Sequence, residues 1–415
     1  MDDCKGMRVL QINSVCDFGS TGRTTRELAD YLEEKGYECY VAYGHNTTSY
    51  HRAFRIGTVL ENHLHNALFT RLLGLHGYGT RRGTKKLLNW IDEIKPDILH
   101  LRNLHANYLN FPMLMDYLIK HQIPVVLTLH DCFNYTGKCS HYTALNCYKW
   151  RKECRNCPTF RSCTAPSLIF DNSRKLFNQK KNYFKNLKHL SVVAVSKWLA
   201  DQAKESPMFL SAQNIIHIYN WIDFKKFHRS SNEEVDAFYA KYNLSRNFKY
   251  LISVSQGWDN SASRYQDAIR LANRLPNNYR FIIVGSAVRG SRIEEPLIHI
   301  PYIGDTSELS AAYSMAEAYV HLSVEDTFGK VIAEAMACGT VPISFNSTAC
   351  GEIPGPYGVV VPPHDVKAII DALPFLEDMK IKREDMIRFV HENYDYHFNA
   401  HQYLELYQEI LSMQS

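Results

Sequence analysis

The chain has 415 residues, 45% of them hydrophobic, more than one ordinary core holds and enough for two full-sized domains. A net charge of +4 is only mildly basic and lacks the dense Lys/Arg stripes of a nucleic-acid surface, so nucleic acid is set aside as a partner. No apolar run reaches the roughly 18–20 residues that span a bilayer and no signal-peptide zoning is present, so the expected compartment is the cytoplasm.

From Met7, MRVLQINSV reads as a strand, DFGSTGR as a glycine-rich loop, and TTRELADYLEEKG as a helix closed by Gly36. A strand follows at once in YECYVAYG, and this rhythm implies a parallel sheet. Further strands are expected at 97–101, 124–130 and 190–196, with FPMLMDYLIKH as a helix between the first two. SAQNIIHIYNWIDFKKF (211–227) reads as a short strand leading into an interdomain crossover. A second series follows: YLISVS, YRFIIVG, HIPYIG, AYVHLS, TVPISF and GVVVP, spaced by helical patterns. The tail from residue 388 is amphipathic at helical spacing. The expected fold is α/β, with two Rossmann-like doubly wound domains facing a central cleft. The first covers 1–210, with the helix 388–415 packing back on it, and the second covers 211–387. Open sheets of this kind bind ligands outside the carboxyl ends of their strands.

The segment SVEDTFGKVIAEAMACGTVPISFNSTACGEIPG (323–355) carries most of the functional information. Asp326 and Glu334 stand eight positions apart, and Phe328 and Gly329 open a helix after a strand. Backbone N–H groups at that helix end suit a diphosphate, Lys330 adds a cation, and Glu334 can accept hydrogen bonds from ribose hydroxyls. Either acid taken singly would read as a solvated side chain on an ordinary helix.

The whole string resembles the paired-acid motif of family-4 retaining glycosyltransferases with the GT-B fold, through the EAMACGT helix and the NSTACGEI loop. Further similar stretches are GSTGRTTRELA (19–29), DILHLRNLHANYLN (97–110) and TLHDCFNYTGKC (128–139), so the resemblance covers nearly the whole chain. It is to the enzymes of bacterial capsule and exopolysaccharide assembly in particular, colanic-acid transferases among them. In that family the first acid is usually Glu and lies by the donor sugar, while the second binds the ribose; here the first is the shorter Asp326. The resemblance implies that His130 lines the donor-sugar pocket, that Gly19, Ser20, Thr21, Gly22 and Arg23 face phosphates and acceptor, and that His105 lies on the acceptor side. One departure is plain. Where the family has a diphosphate-binding Lys before a glycine, SVSQGWDNSASRYQDA has Ser263 and then Arg264, and Arg264 is the expected substitute.

The implied reaction is transfer of a sugar from a UDP- or GDP-sugar to a glycan or polyprenyl-linked glycan, with retention and no metal or other cofactor in catalysis. A non-catalytic nucleotide-sugar-binding relative is the standing alternative. A nicotinamide oxidoreductase is disfavoured because GSTGR lacks the G-x-G-x-x-G spacing.

Eleven cysteines in a chain without export signals argue against a disulfide framework. Cys139, Cys147, Cys154 and Cys157, with His141 among them and a closing C-x-x-C, are either ligands of a structural zinc or free thiols. The stretch 64–91 mixes Leu, Phe and Trp with Arg71, Arg81, Arg82, Lys85 and Lys86. It reads first as a helix with a solvated basic face, and alternatively as a peripheral contact with an anionic membrane.

Overall fold

The computed structural model describes residues 6–413. The chain divides into two compact units: the first runs to Tyr219 and resumes at Ala400, and the second is Asn220–Asn399. Each is built on a parallel sheet, as the alternation of apolar runs and helical patterns requires.

The first sheet contains β1 (Arg8–Val15), β2 (Glu38–His45), β3 (Ala53–Arg55), β4 (Ile98–Leu101), β5 (Val125–Leu129), β6 (Leu190–Ala194) and β7 (Asn214–His217). Their spatial order is β3-β2-β1-β4-β5-β6-β7, every pair parallel. β4, β5 and β6 are buried at every position, the result of apolar residues on both faces of a covered strand. The order reverses between β1 and β4, and a crevice opens at such a switch point beyond the strand ends.

The second sheet contains β8 (Lys249–Trp258), β9 (Tyr279–Ala287), β10 (Ile298–Ile300), β11 (Ala318–His321), β12 (Pro342–Phe345) and β13 (Val359–Val361), in the order β10-β9-β8-β11-β12-β13. Leu251, Phe281, Val320, Ile343 and Phe345 lie in its core with Trp258. The Trp258 indole N–H donates to the Val284 carbonyl at 3.0 Å, beside a register shift between Val254 and Gly257. Gly285 is needed opposite that shift, because a Cβ there would lie 1.9 Å from the Ser255 carbonyl oxygen. The switch point falls between β8 and β11.

Four expectations are revised. Residues 211–219 belong with the first unit, because β7 adds to the edge of β6. The tail is not one helix: Arg383–Tyr394 and Tyr396–Ser412 are separated by Asp395, whose extended backbone bridges to Ile222 and whose carboxylate accepts the Phe398 N–H at 2.9 Å. Only the part from Ala400 groups with the first unit. The stretch 64–91 is likewise interrupted. A π-helical turn His65–Leu72 is followed by a loop and the helix Arg81–Ile94, because His65 ties the loop back through Thr80 Oγ1 (2.8 Å) and the Gly77 N–H (3.0 Å). Finally, GSTGR is not a loop but the first turn of the helix Gly19–Glu34.

Candidate active site

In the second unit, β11 ends at His321 and the loop that follows carries Asp326. His321 is 7% exposed; its Nε2 meets the Asp326 carboxylate at 2.8 Å and its Nδ1 meets the Tyr319 hydroxyl at 2.9 Å. Burial works against charge on this imidazole, but Tyr319, Cys350 and Asp326 together hold its pKa well above the ordinary histidine value. The loop is pinned from the other side as well. Asp326 N–H donates to Thr348 Oγ1 at 3.1 Å, and Ala349 N–H donates to the Asp326 carbonyl at 3.2 Å, so the segment after β12 braces the acid. The Asp326 side chain remains 37% exposed, ordered yet accessible. His321, Asp326 and Cys350 also place three potential metal-ligand atoms within 4.8 Å of one another.

Gly329 closes this loop at φ +80°, a backbone conformation that a glycine adopts without strain, and the helix Lys330–Ala337 begins at the next residue. No side chain caps its first turn, and the Ile332 N–H turns back to the Gly329 carbonyl at 2.9 Å, which leaves the amides of Lys330 and Val331 as those placed to meet an anion. Phe328 is 2% exposed with its ring edge-on to Tyr394, so its side chain anchors the loop and presents no surface to a ligand. Glu334 is buried on the same helix near Tyr313, whose enclosed hydroxyl has its pKa raised by burial and then by the Glu334 carboxylate. Arg264, the expected substitute for the missing Lys, lies over the Trp258 ring and donates from Nη2 to the Gly257 carbonyl at 3.0 Å. That bond ties helix to strand at the end of β8, and the buried Arg264 Nε has no hydrogen-bond partner among the described residues.

In the first unit, His130 follows β5 and meets a residue that spacing did not single out. Arg102, 1% exposed, donates from Nε to His130 Nε2 at 3.1 Å, and its other nitrogens reach Gln11 Oε1 (2.8 Å) and Thr24 Oγ1 (2.9 Å). His130 Nε2 is therefore an acceptor. Burial, reinforced by the guanidinium, pushes the His130 pKa far below the usual value and keeps the ring neutral with its proton on Nδ1. His105 pairs through Nε2 with Asp131 Oδ2 at 2.7 Å and packs on Phe133. Burial would raise the Asp131 pKa, but His105 and the Phe133 N–H hold it low. Gly19, Ser20, Thr21, Gly22 and Arg23 form a helix start, not a loop. Phe18 provides no cap there, Gly22 packs so closely that a Cβ would meet Val15 Cγ2 at 3.1 Å, and Arg23 is exposed.

Asp131, His321 and Arg102 were missed by sequence reasoning. The first follows His130 directly, and the other two are polar residues at the carboxyl ends of short buried strands, the one signal that could have found them.

The cysteines of the first unit are gathered in the segment after β5. Cys139, Cys147, Cys154 and Cys157 line one cavity of ≈ 30 Å³ together with His141. The thiols of Cys139 and Cys157 are in hydrogen-bonding reach of each other and of Cys163, which the spacing did not include.

A further surface of this unit is apolar. Leu60, Leu64, Leu68, Leu72 and Leu73 are exposed, and the Leu168 N–H bonds to the Arg71 carbonyl, bringing exposed Leu168, Ile169 and Phe170 alongside. A groove of ≈ 610 Å³ there is lined by Leu60, Leu64 and Leu68 with Arg55, Arg81 and Lys86.

Known proteins resemble this chain in sequence and in fold. The family profile described as Glycosyltransferase Family 4 matches residues 21–226, and Glycosyl transferases group 1 matches residues 228–392. The chain belongs to glycosyltransferase family 4, and its two parallel α/β units have the GT-B fold. It is 27% identical over 255 residues to the GDP-mannose:cellobiosyl-diphosphopolyprenol alpha-mannosyltransferase of Komagataeibacter xylinus, covering 56% of this chain and 61% of that protein. It is 28% identical over 106 residues to the putative colanic acid biosynthesis glycosyl transferase WcaC of Escherichia coli K12, covering 24% of this chain and 25% of the relative. In fold it is similar to Anabaena HepE, crystallised with UDP and glucose, with a TM-score of 0.64 at 14% identity over 97% of this chain and all of that one. No helix among the described residues is long and apolar enough to cross a membrane.

Proposed function

We propose that the chain transfers a sugar from a UDP- or GDP-sugar to a hydroxyl of a polyprenyl-linked glycan, with retention and without a metal ion in the transfer step, in bacterial exopolysaccharide or capsule synthesis. The observation that carries this reading is the acid pair at the β8/β11 switch point: Asp326 held by His321 on the loop, and Glu334 on the helix that Lys330 opens. Asp326 lies beside the donor sugar and Glu334 receives the ribose hydroxyls. The Lys330 side chain and the amides of Lys330 and Val331 hold the diphosphate, where charge grows as the bond between the anomeric carbon and the phosphate oxygen breaks. The acceptor oxygen bonds to the anomeric carbon on the same face, and its proton passes to the released diphosphate. The neutral His130, with N–H at Nδ1, offers a hydrogen bond to a sugar hydroxyl, and His105 with Asp131 serves the acceptor.

The exposed leucines and the basic groove bring the chain to the surface of a membrane that carries the acceptor, at the cytoplasmic face. Anionic vesicles test this part: flotation with wild-type protein is expected, weakened by Leu64→Ser with Leu68→Ser, and no flotation of wild type would reject it.

The transfer itself is tested by nucleotide release from a panel of UDP- and GDP-sugars with EDTA present. Slow hydrolysis of one donor, lost in Asp326→Asn and needing a higher donor concentration in Glu334→Gln, is the expected result. The tie between Arg264 and Gly257, with Ser263 in the usual lysine position, favours one rival, a non-catalytic nucleotide-sugar binder. Donor-induced thermal stabilisation without any release, even with a polyprenyl-linked acceptor, would choose that rival.

A further inference from the structure

Residues 131–172 contain, apart from turns, only two short 3-10 segments, Thr143–Leu145 and Lys149–Arg151. Tyr135, Tyr142 and Trp150 supply a small aromatic core, with Tyr135 and Tyr142 ring centroids 4.9 Å and 5.2 Å from Trp150. An excursion of this length with so little regular backbone bonding generally needs a staple.

Six cysteines lie in this lobe, none in a disulfide: Cys132, which is buried, and the partly exposed Cys139, Cys147, Cys154, Cys157 and Cys163. Cys139 and Cys157 belong both to the mutually contacting thiols and to the wall of the small cavity that Cys147 and Cys154 complete. The Cys154 Sγ accepts the Gly137 N–H at 3.2 Å, a contact that a thiolate rewards more than a thiol.

Two cations are buried in the same place. Lys138 is 1% exposed and its ammonium has no hydrogen-bond partner, while the buried Lys180 ammonium reaches the Phe133 carbonyl. Among the described residues neither forms an ion pair with a carboxylate; burial disfavours charge on Lys180, and the groups that favour it are Cys154, Cys139 and Asp131. Four thiolates on a divalent ion carry a net charge of −2, which these two lysines balance.

We infer that this lobe holds one structural zinc ion, with Cys139 and Cys157 as ligands and two of Cys147, Cys154 and Cys163 completing a tetrahedral thiolate site. On binding, four S–H bonds give up their protons to solvent and four Zn–S bonds form, with no change of oxidation state. With no open coordination position, the ion orders the segment that begins beside His130 and Asp131 and takes no part in transfer.

The test uses the full chain purified without chelator. Metal analysis is expected to give about one zinc per chain, and cobalt in its place should show the sulfur-to-metal charge-transfer absorption of a tetrathiolate centre. Cys139→Ser and Cys157→Ser should each lower zinc content at least about tenfold, as should two of the three single replacements at Cys147, Cys154 and Cys163. If a serine variant does not fold, the cobalt spectrum of the wild-type chain decides. Absence of zinc after incubation with zinc and reductant, a cobalt spectrum without sulfur bands, disulfides among these cysteines in the native chain, or full zinc in Cys139→Ser and Cys157→Ser would each overturn the inference.

Discussion

His321 Nε2 stands 2.8 Å from the Asp326 carboxylate while Tyr319 occupies the other ring nitrogen, so the acid of the loop is oriented by a buried imidazole with both ends engaged. Because the folded-state pKa of His321 is raised, the folded chain binds this proton more tightly than the unfolded one. The resulting stability is fully present below the unfolded value, about 6.5, and is lost as pH rises through the higher folded value. Replacing His321 by Gln should cost about 1–3 kcal/mol at pH 6 and less at pH 9. Paired thermal melts across that range check it, and a pH-independent gap between wild type and variant would contradict it.

The two acids should separate kinetically. Asp326→Asn is expected to lower kcat about 10²–10³-fold with a small change in KM, as for loss of one preorganised electrostatic partner. Glu334→Gln should raise the donor KM about tenfold or more, the loss of a charge-assisted bond of about 1.5–3 kcal/mol. Steady-state kinetics on the donor identified by the release assay decide this, and equal effects of both variants on kcat alone would count against the assigned roles.

Arg102 makes its contacts to neutral groups alone among Gln11, Thr24 and His130. Arg102→Met should leave Gln11 Oε1 and the Thr24 oxygens without their donor and destabilise the chain by about 2–4 kcal/mol. It should also release His130, whose pKa should rise toward the ordinary value. Chemical denaturation reads the first effect and an NMR titration of the His130 ring reads the second.

Tyr403 and Tyr407 of the last helix reach the first sheet, where their hydroxyls meet Thr128 Oγ1 at 3.1 Å and His100 Nδ1 at 2.7 Å. Tyr407→Phe should cost about 1–2 kcal/mol, since His100 is enclosed and would lose that partner. A chain ending at Asn399 should lose far more, measured as a fall in melting temperature of the first unit.

Much of the fold is legible because continuous apolar runs such as PVVLTLH admit few readings other than a covered strand. What escapes is what depends on distant partners. β3 is only Ala53–Arg55, too short to carry a pattern, and exists by pairing with β2. The π-helical turn owes its shape to His65 bonding a loop more than ten residues away. GSTGR looks like a loop because two glycines are poor helix formers, yet the helix begins at Gly19, with only three residues between it and the end of β1 at Val15. In the candidate site, Asp326 and Glu334 are visible through their spacing. His321 is hidden inside AYVHLS, and Cys163 becomes a neighbour of Cys139 only once the lobe folds.

The first unit is discontinuous in the chain, and this inverts the usual order of folding during synthesis. Domains generally fold as they leave the ribosome, first made, first folded, at roughly 5–20 residues per second. Here the strands through β7 emerge early, but the helix that satisfies His100 and Thr128 follows the whole of Asn220–Asn399. The second unit can reach its native state while the first still shows the ribosome an open face beneath β4 and β5. A nascent chain stalled before Ala400 should therefore recruit chaperones through the first unit, although every strand of its sheet has already been made.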